Sequence, residues 1–196
     1  ATFWISLIAT AVVVGQDARE RVERGKAATL YLELDGGKST ASATCISKRG
    51  IFVTSHHAIK DLPPEGTVKL IVRPSSDDAR TVEARVIRSD EQLDLAVLSA
   101  EAEDREFEFL ELGDDSKLYE TMQLFTFGYP FGKQLASSAD QYPEISVNVG
   151  RITSLRRSQG VLERIQLDAQ LNPGNSGGPV LDDQAQLVGI VNAGIR

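Results

Sequence analysis

Residues 174–179 read Gly174-Asn175-Ser176-Gly177-Gly178-Pro179, and this run is the most informative feature of the sequence. It puts a serine on a tight turn between glycines, whose backbone takes positive φ and admits close approach by another molecule. A serine nucleophile needs such a turn, because its hydroxyl must project into a cleft beside backbone N–H groups that hold a developing oxyanion. A glycine-rich hairpin turn is the alternative, since short motifs give many false matches.

The order of the histidines and the serine along the chain distinguishes between the known classes of enzyme with a serine nucleophile. The only two histidines, His56 and His57, lie far upstream of the serine, whereas an α/β-hydrolase needs its histidine after the serine. A subtilisin-like order would need Asp17 or Asp35 ahead of the histidines, and neither lies in a convincing motif. The chymotrypsin order of histidine, aspartate and serine is therefore favoured.

Asp94 is the aspartate that fits this order best. It stands in the run Leu93-Asp94-Leu95-Ala96-Val97-Leu98, where a single carboxylate opens an apolar strand and is expected to be half-buried. Burial strengthens the hydrogen bond by which a carboxylate orients an imidazole. The sequence therefore predicts that Asp94 orients the histidine that acts as the base for Ser176.

Composition excludes several other classes of function. The formal charge is 21 − 28 = −7, which argues against a nucleic-acid partner. The single cysteine, Cys45, has no partner for an internal disulfide and is predicted to be a small buried strand residue rather than a nucleophile, since it lacks a setting that lowers its pKa. Adjacent histidines on a strand would point to opposite faces, so no metal site and no cofactor are expected.

The N-terminal residues, 1–16, are interpreted as the remnant of a signal peptide or as an anchor. They are almost wholly apolar and uncharged, short for a membrane-spanning helix, and typical of the apolar core of a secretory signal. A truncated membrane anchor and a buried first strand are the alternatives. Because no methionine or basic leader precedes this run, we expect the sequence to begin within a longer reading frame. Residues 16–26 are charged and predict a linker or a short helix.

Alternation of apolar and polar residues predicts an all-β protein. Residues 30–34, 68–72 and 82–86 alternate with period two, which indicates strands with one buried face. Further apolar strand runs are predicted at 95–98, 122–127, 145–152, 164–167 and 187–191. Many short strands separated by turns predict a sandwich or barrels. The polar stretch Glu101 to Lys117 is the expected seam between two lobes, with a site formed in the cleft between them.

Six motifs in one order give the chain a resemblance to the trypsin-fold serine proteases of the HtrA/Deg type. The resemblance covers the chain from about Leu30 onward and is far more specific than any one motif. The matching runs are Gly50–Ile59, Asp94–Leu98, Leu112–Ser116, Gly128–Gly132, Gly150–Ser154 and Gln166–Pro179.

The resemblance implies a fold of two six-stranded antiparallel β-barrels, the second incomplete at its C-terminal end. It implies a protease domain over residues 17–196, with a first barrel at about 27–112 and a second at about 118–196. The family's second barrel continues beyond the position of Arg196, so we expect this sequence to be part of a longer protein. The family also usually has Gly-Ser-Gly where this chain has Ser42-Ala43-Thr44, which is expected to be a loop change without chemical consequence.

The resemblance also implies the site residues. It selects His57 as the base, because that histidine directly precedes the pair Ala58-Ile59, and leaves His56 a local structural role. The implied residues are His57, Asp94 and Ser176 for catalysis, Gly174, Asn175 and Ser176 for the oxyanion hole, and Leu171, Asn192, Ala193 and Gly194 for substrate binding.

The function implied by the resemblance is a serine endopeptidase that cleaves unfolded or damaged polypeptides through an acyl-enzyme, in protein quality control. It implies an extracytoplasmic location, periplasmic or secreted, with a membrane anchor as an option, and a homo-oligomer of the kind often built from trimers. The alternative function is a catalytically silent trypsin-fold module that binds unfolded segments or a partner protein.

Overall fold

The structure is a computed structural model that describes residues 18–37, 39–63, 66–100, 106–136, 138 and 141–192. The segment interpreted as a signal or an anchor, residues 1–16, lies outside the described residues. Within the described ranges, no helix combines the length and the apolar character needed to cross a membrane. Residues 18–27 form a helix, α1, in the segment for which a linker or short helix was predicted.

Six antiparallel strands close into a first barrel. Their order around the barrel is β1-β2-β3-β6-β5-β4, and pairing of β1 with β4 completes the ring. A single helical turn, α2 (His56–Ile59), follows β3. The strands are β1 (Thr29–Leu34), β2 (Ser39–Ser47), β3 (Ile51–Thr54), β4 (Thr67–Val72), β5 (Arg80–Asp90) and β6 (Leu95–Ser99).

Five further strands form a second, nearly closed barrel in the described residues. Their order is β11-β10-β7-β8-β9, and each pair of neighbouring strands in this order is antiparallel. This architecture confirms the predicted all-β fold of two barrels, with the second one incomplete. The strands are β7 (Gln123–Gly128), β8 (Ser146–Ser158), β9 (Val161–Leu167), β10 (Pro179–Leu181) and β11 (Leu187–Ile190).

The hydrophobic core joins the two barrels. One buried cluster fills the first barrel around Leu32, Leu70 and Leu98 and continues into the second sheet through Phe127 and Leu181. A second cluster occupies the interior of the second barrel. Burial of these side chains fixes how the barrels sit against each other, and therefore fixes the cleft between them.

Strand β1 is buried on both faces, which the alternation in sequence did not predict. Tyr31 is fully buried although it lies on the face opposite Leu30 and Leu32. Its ring makes edge contacts with Tyr129 and Tyr142, with ring centroids 5.5 and 5.3 Å away. The prediction of one buried face was wrong for this strand, because a loop from the second barrel covers its outer side.

The segment between the barrels is anchored at a few buried residues, although most of its described residues are exposed. Phe107 and Leu110 are buried, and their N–H groups donate to the carbonyls of Lys48 and Cys45 in the first barrel. The chain then forms a parallel bridge between Leu112 and Leu187 of β11. The polar segment that was predicted to separate the two lobes therefore connects the first barrel to the edge of the second sheet.

Cys45 is expected to be unreactive in the folded protein. It is fully buried in β2, and burial raises the pKa of its thiol to about 11. Because the thiolate is the reactive species, a thiol reagent at pH 8 should label native protein far more slowly than protein unfolded in guanidinium. Rapid labelling of the native state, measured by absorbance, would contradict this placement.

Candidate active site

Asp94 orients the ring of His57 through both of its carboxylate oxygens. Oδ1 accepts the backbone N–H of His57 at 2.8 Å, and Oδ2 lies 2.8 Å from His57 Nδ1. Because an ionised carboxylate only accepts hydrogen bonds, Nδ1 carries the proton and the neutral ring keeps Nε2 as a base. Asp94 has a φ of 55°, a left-handed conformation that aspartate tolerates better than most residues.

The neighbouring histidine fastens the turn that carries Asp94. His56 donates its backbone N–H to the carbonyl of Asp94 at 3.1 Å, and its Nδ1 lies 2.6 Å from Ser89 Oγ. Both histidines belong to α2, so the expectation that they lie on a strand was wrong. Their rings still contact different partners, because the helical turn directs one ring to Ser89 and the other to Asp94.

Ser176 and His57 face the same cleft between the barrels. Both residues line a cavity of about 260 Å³. In the described part of the chain, Ser176 Oγ and His57 Nε2 form no hydrogen bond. Such contacts are often loose in resting enzymes and tighten when substrate binds. The structure thus joins His57 to Asp94 directly and brings Ser176 to their cleft.

Two of the three N–H groups predicted for the oxyanion hole are available to a ligand. In the described residues, the N–H groups of Gly174 and Ser176 donate to no protein acceptor. The N–H of Asn175 instead donates to the carbonyl of Asn172 at 3.0 Å. Assigning Asn175 to the oxyanion hole was therefore wrong, because the tight turn uses that N–H to close itself.

The direction of the Gly174 N–H is set by a contact with the loop after β7. The carbonyl of Pro173 accepts the N–H of Phe131 at 2.7 Å. In a trans peptide the C=O and N–H point in opposite directions, so the Gly174 N–H points away from this loop. Pro173, Gly174 and Ser176 line the cleft, which is the side left open to that N–H.

Hydroxyl groups of the first barrel brace the serine turn, and the sequence analysis missed them. Ser42 donates its N–H to the carbonyl of Ser176 and its Oγ to the carbonyl of Gly174, both at 2.8 Å. Thr44 Oγ1 donates to the carbonyl of Gly177 at 2.9 Å. Residues 42–44 lie in β2, so the expectation of a loop at this departure from Gly-Ser-Gly was wrong. A run of small hydroxyl residues in a buried strand is the signal that could have revealed them.

Gly177→Ala is expected to destabilise the protein strongly. Gly177 has a φ of 88°, and a Cβ there would collide with the carbonyl oxygen of Ser42 and with Thr54 Oγ1. A left-handed alanine costs about 1–2 kcal/mol, and overpacking adds about 1–3 kcal/mol. Chemical denaturation should therefore show a loss of about 2–5 kcal/mol in the free energy of unfolding.

The matched control for that substitution is Gly160→Ala. Gly160 has a φ of 83°, but no atom lies within 4 Å of a Cβ placed there. The free energy of unfolding of Gly160→Ala should fall only by the cost of the left-handed backbone conformation, about 1–2 kcal/mol. Equal losses for the two variants would show that the serine turn is not tightly packed against β2.

The residues predicted to bind substrate are only partly described. Leu171 is half-buried and packs against the core of the second barrel. Asn192 Nδ2 donates to the carbonyl of Leu93 at 3.3 Å, next to Asp94, while Ala193 and Gly194 lie outside the described residues. Of the alternative orienting acids, Asp17 also lies outside them, as does the side chain of Asp35.

A comparison with models of protein families identifies the family of this chain. The family described as "Trypsin-like peptidase domain" matches residues 41–190, which include Asp94 and the serine turn. The chain belongs to this family. The match begins in β2 and ends at the last residue of β11, so it includes strands of both barrels.

Curated relatives of this chain carry names of the Deg and HtrA type. A "Probable periplasmic serine endoprotease DegP-like" of Hahella chejuensis (strain KCTC 2396) is 35% identical over 156 residues, covering 78% of this chain and 29% of the relative. "Serine protease Do-like HtrA" of Bacillus subtilis (strain 168) is 32% identical over 176 residues, covering 89% of this chain and 34% of the relative. The chain spans about a third of the length of these relatives.

Solved structures show the same fold. The crystal structure of Deg5 superposes with a TM-score of 0.76 at 26% identity, covering 91% of this chain and 85% of that one. The serine endoprotease from Yersinia pestis gives a TM-score of 0.72 at 22% identity, covering 90% of this chain and 57% of that one, which supports the fold alone. Together with the family match, these findings confirm the resemblance to HtrA/Deg trypsin-fold proteases.

Proposed function

We propose that this trypsin-like peptidase domain makes its protein a serine endopeptidase with His57, Asp94 and Ser176 as the catalytic residues. The observation that carries the proposal is the Asp94 carboxylate, which holds His57 through two 2.8 Å contacts at the cleft that Ser176 also lines. A carboxylate that fixes a base beside a serine is the arrangement that activates a serine hydroxyl.

The chemistry proposed for the site is acyl transfer. Ser176 Oγ attacks the carbonyl carbon of a peptide bond, and His57 Nε2 takes the hydroxyl proton and delivers it to the leaving amine. Asp94 stabilises the imidazolium that forms. The N–H groups of Gly174 and Ser176 hold the oxyanion, and each such donor typically contributes about 2.7–4 kcal/mol to lowering the barrier. Water then hydrolyses the acyl-enzyme.

The substrates and location that we propose follow the named relatives. The relative from Hahella chejuensis is named as a probable periplasmic serine endoprotease, which supports an extracytoplasmic location and polypeptide substrates for this chain. Cleavage of unfolded or damaged proteins in quality control, and assembly into a homo-oligomer, are proposed from the HtrA/Deg resemblance.

The alternative of a silent binding module has less support, because the serine turn is held by hydrogen bonds from Ser42 and Thr44, and because the N–H groups of Gly174 and Ser176 donate to no protein acceptor among the described residues. Digestion of casein by the full-length protein tests the choice. Cleavage that a fluorophosphonate stops and that EDTA leaves intact would support the proposal. Binding of casein without cleavage, at concentrations that saturate binding, would instead favour the silent module.

We expect cleavage to follow small or medium aliphatic residues. Leu171, five residues before Ser176, offers an apolar wall, and no carboxylate stands between Leu171 and Ser176 to pair with a substrate cation. A buried unpaired cation is costly, so Lys and Arg should be poor residues on the acyl side. A peptide-library profile with Val, Ala or Ile before the cut is expected, and a profile dominated by Lys or Arg would contradict the role of Leu171.

A further inference from the structure

A second cavity, of about 390 Å³, lies on the outer face of the second barrel. Leu124 of β7 and Ile152 of β8 pack inside that barrel. Because successive residues of a strand point to opposite faces, their neighbours Phe125 and Arg151 face outward, and both line the cavity together with Arg21 of α1. Its lining residues in the described structure include none that line the catalytic cleft, so the two sites are separate.

Arg21 presents an unused hydrogen-bond donor at this cavity. Its guanidinium stacks over the ring of Phe125, with Cζ 4.8 Å from the ring centroid. Its Nε is buried and forms no hydrogen bond within the part of the chain that the structure describes. A buried donor without an acceptor is costly, so we expect a bound acceptor at this atom.

Arg151 supplies a second guanidinium from the neighbouring strand. Its Nη1 donates to the carbonyl of Thr121 at 3.0 Å, which holds the side chain in place and leaves its other N–H groups for a ligand. Among the described residues, neither Arg21 nor Arg151 forms an ion pair with a carboxylate. Two such arginines on one cavity make a local positive site in a chain whose formal charge is −7.

Asp183 also lines the cavity, and its carboxylate opposes the binding of an anion. The two arginines and this aspartate leave a formal charge of 2 − 1 = +1. Asp183 is exposed, so water screens its charge, whereas the donor atom of Arg21 is buried. The cavity therefore still favours a negatively charged group.

The donors select a particular kind of anion. A guanidinium offers paired N–H groups to two oxygens of one anion, and two guanidiniums are satisfied best by a group with more than two terminal oxygens. A phosphate monoester has three such oxygens and close to two negative charges at neutral pH, whereas a carboxylate or a phosphodiester has two oxygens and one charge. Tyr119 and Met122 also line the cavity and offer contact to the group that carries the phosphate.

We propose that the cavity between α1 and the outer face of the second barrel binds the phosphate monoester of a small molecule, with Arg21 and Arg151 as its ligands. This site is additional to the protease function and does not involve Ser176.

Calorimetric titration of the full-length protein at constant ionic strength tests the choice of ligand. The probes are phenyl phosphate, methyl phenyl phosphate, benzoate and inorganic phosphate. Phenyl phosphate should bind once per chain and about tenfold or more tightly than the diester and the carboxylate, because it accepts further hydrogen bonds from charged donors. It should also bind more tightly than inorganic phosphate, which cannot contact Met122 and Tyr119.

Substitutions of single arginines locate the binding. Arg21→Met keeps an apolar side chain over Phe125, and Arg151→Met changes an exposed residue, so it tests the site even if the first variant loosens α1. Each should weaken binding of phenyl phosphate about tenfold or more. Arg164→Met is the matched control, because it removes the same charge from an exposed position of β9 outside the cavity and should change binding less than about twofold.

Several results would overturn the site. They are no binding of phenyl phosphate, equal binding of benzoate or the diester, equal binding of inorganic phosphate, and an equal loss of binding in Arg164→Met. Digestion of casein does not enter these measurements, so failure of this proposal leaves the protease proposal standing, and an inactive protease leaves this one standing.

Discussion

Ser176→Ala is expected to reduce the turnover of an unfolded protein substrate by about 10⁶-fold, because the hydroxyl that attacks the peptide bond is removed. The fold should survive. The backbone carbonyl of residue 176 still accepts the N–H of Ser42, and the side chain of Ser176 forms no hydrogen bond with His57 in the structure. The measurement is casein digestion by wild type and variant at equal concentration, together with a thermal melt of each.

Ser116→Ala is the matched control for that experiment. Ser116 is an exposed serine in the turn before β7; its Oγ donates to Asp114, and it does not line the cleft. Its loss should leave digestion unchanged. Wild-type digestion by Ser176→Ala, with both melts intact, would refute nucleophilic catalysis by Ser176.

Asp94→Asn is expected to lower kcat by about 10⁴-fold. An asparagine can still accept the backbone N–H of His57 through Oδ1, so the turn should keep its shape. Its amide nitrogen would then face His57 Nδ1 as a donor, which forces the ring proton onto Nε2. A ring in that tautomer cannot accept the proton of Ser176, so the loss should appear in kcat rather than in the melting temperature.

The control for the carboxylate is Asp90→Asn in the same turn. Asp90 Oδ1 accepts the N–H of Leu93 at 3.0 Å and makes no contact with His57 in the described structure. Steady-state kinetics should show a change of less than about tenfold for Asp90→Asn. The assignment of Asp94 would be wrong if Asp90→Asn were the variant that lost activity while Asp94→Asn kept it.

The parts of the fold that sequence could predict are those carried by local pattern. Alternation at 68–72 and 82–86 predicted β4 and β5, and the apolar run after Asp94 predicted β6. The serine turn could be recognised because glycine, asparagine and serine are residues that suit the local backbone conformation of a tight turn. The chain order of His57, Asp94 and Ser176 then pointed to a single cleft between two barrels.

The parts that sequence could not predict depend on contacts between distant residues. Ser42 and Thr44 alternate with Ala41, Ala43 and Cys45 as in a strand, but their importance comes from hydrogen bonds to a turn more than 130 positions away. Tyr31 is buried by a loop of the other barrel, which no pattern within β1 could reveal. The N–H of Asn175 is consumed by a turn-closing bond to Asn172, a detail set by backbone geometry rather than by residue type.

The central claim is that Ser176 is a nucleophile activated by His57 and Asp94, and active-site labelling tests it most directly. The full-length protein is treated with a fluorophosphonate, and the modified residue is identified by peptide mass spectrometry. The account predicts one adduct on Ser176, formed at least about 10³-fold more slowly when His57 is replaced by alanine, because a serine without its base is a weak nucleophile. An unlabelled Ser176 in folded protein, or equally fast labelling of the His57→Ala variant, would contradict the account.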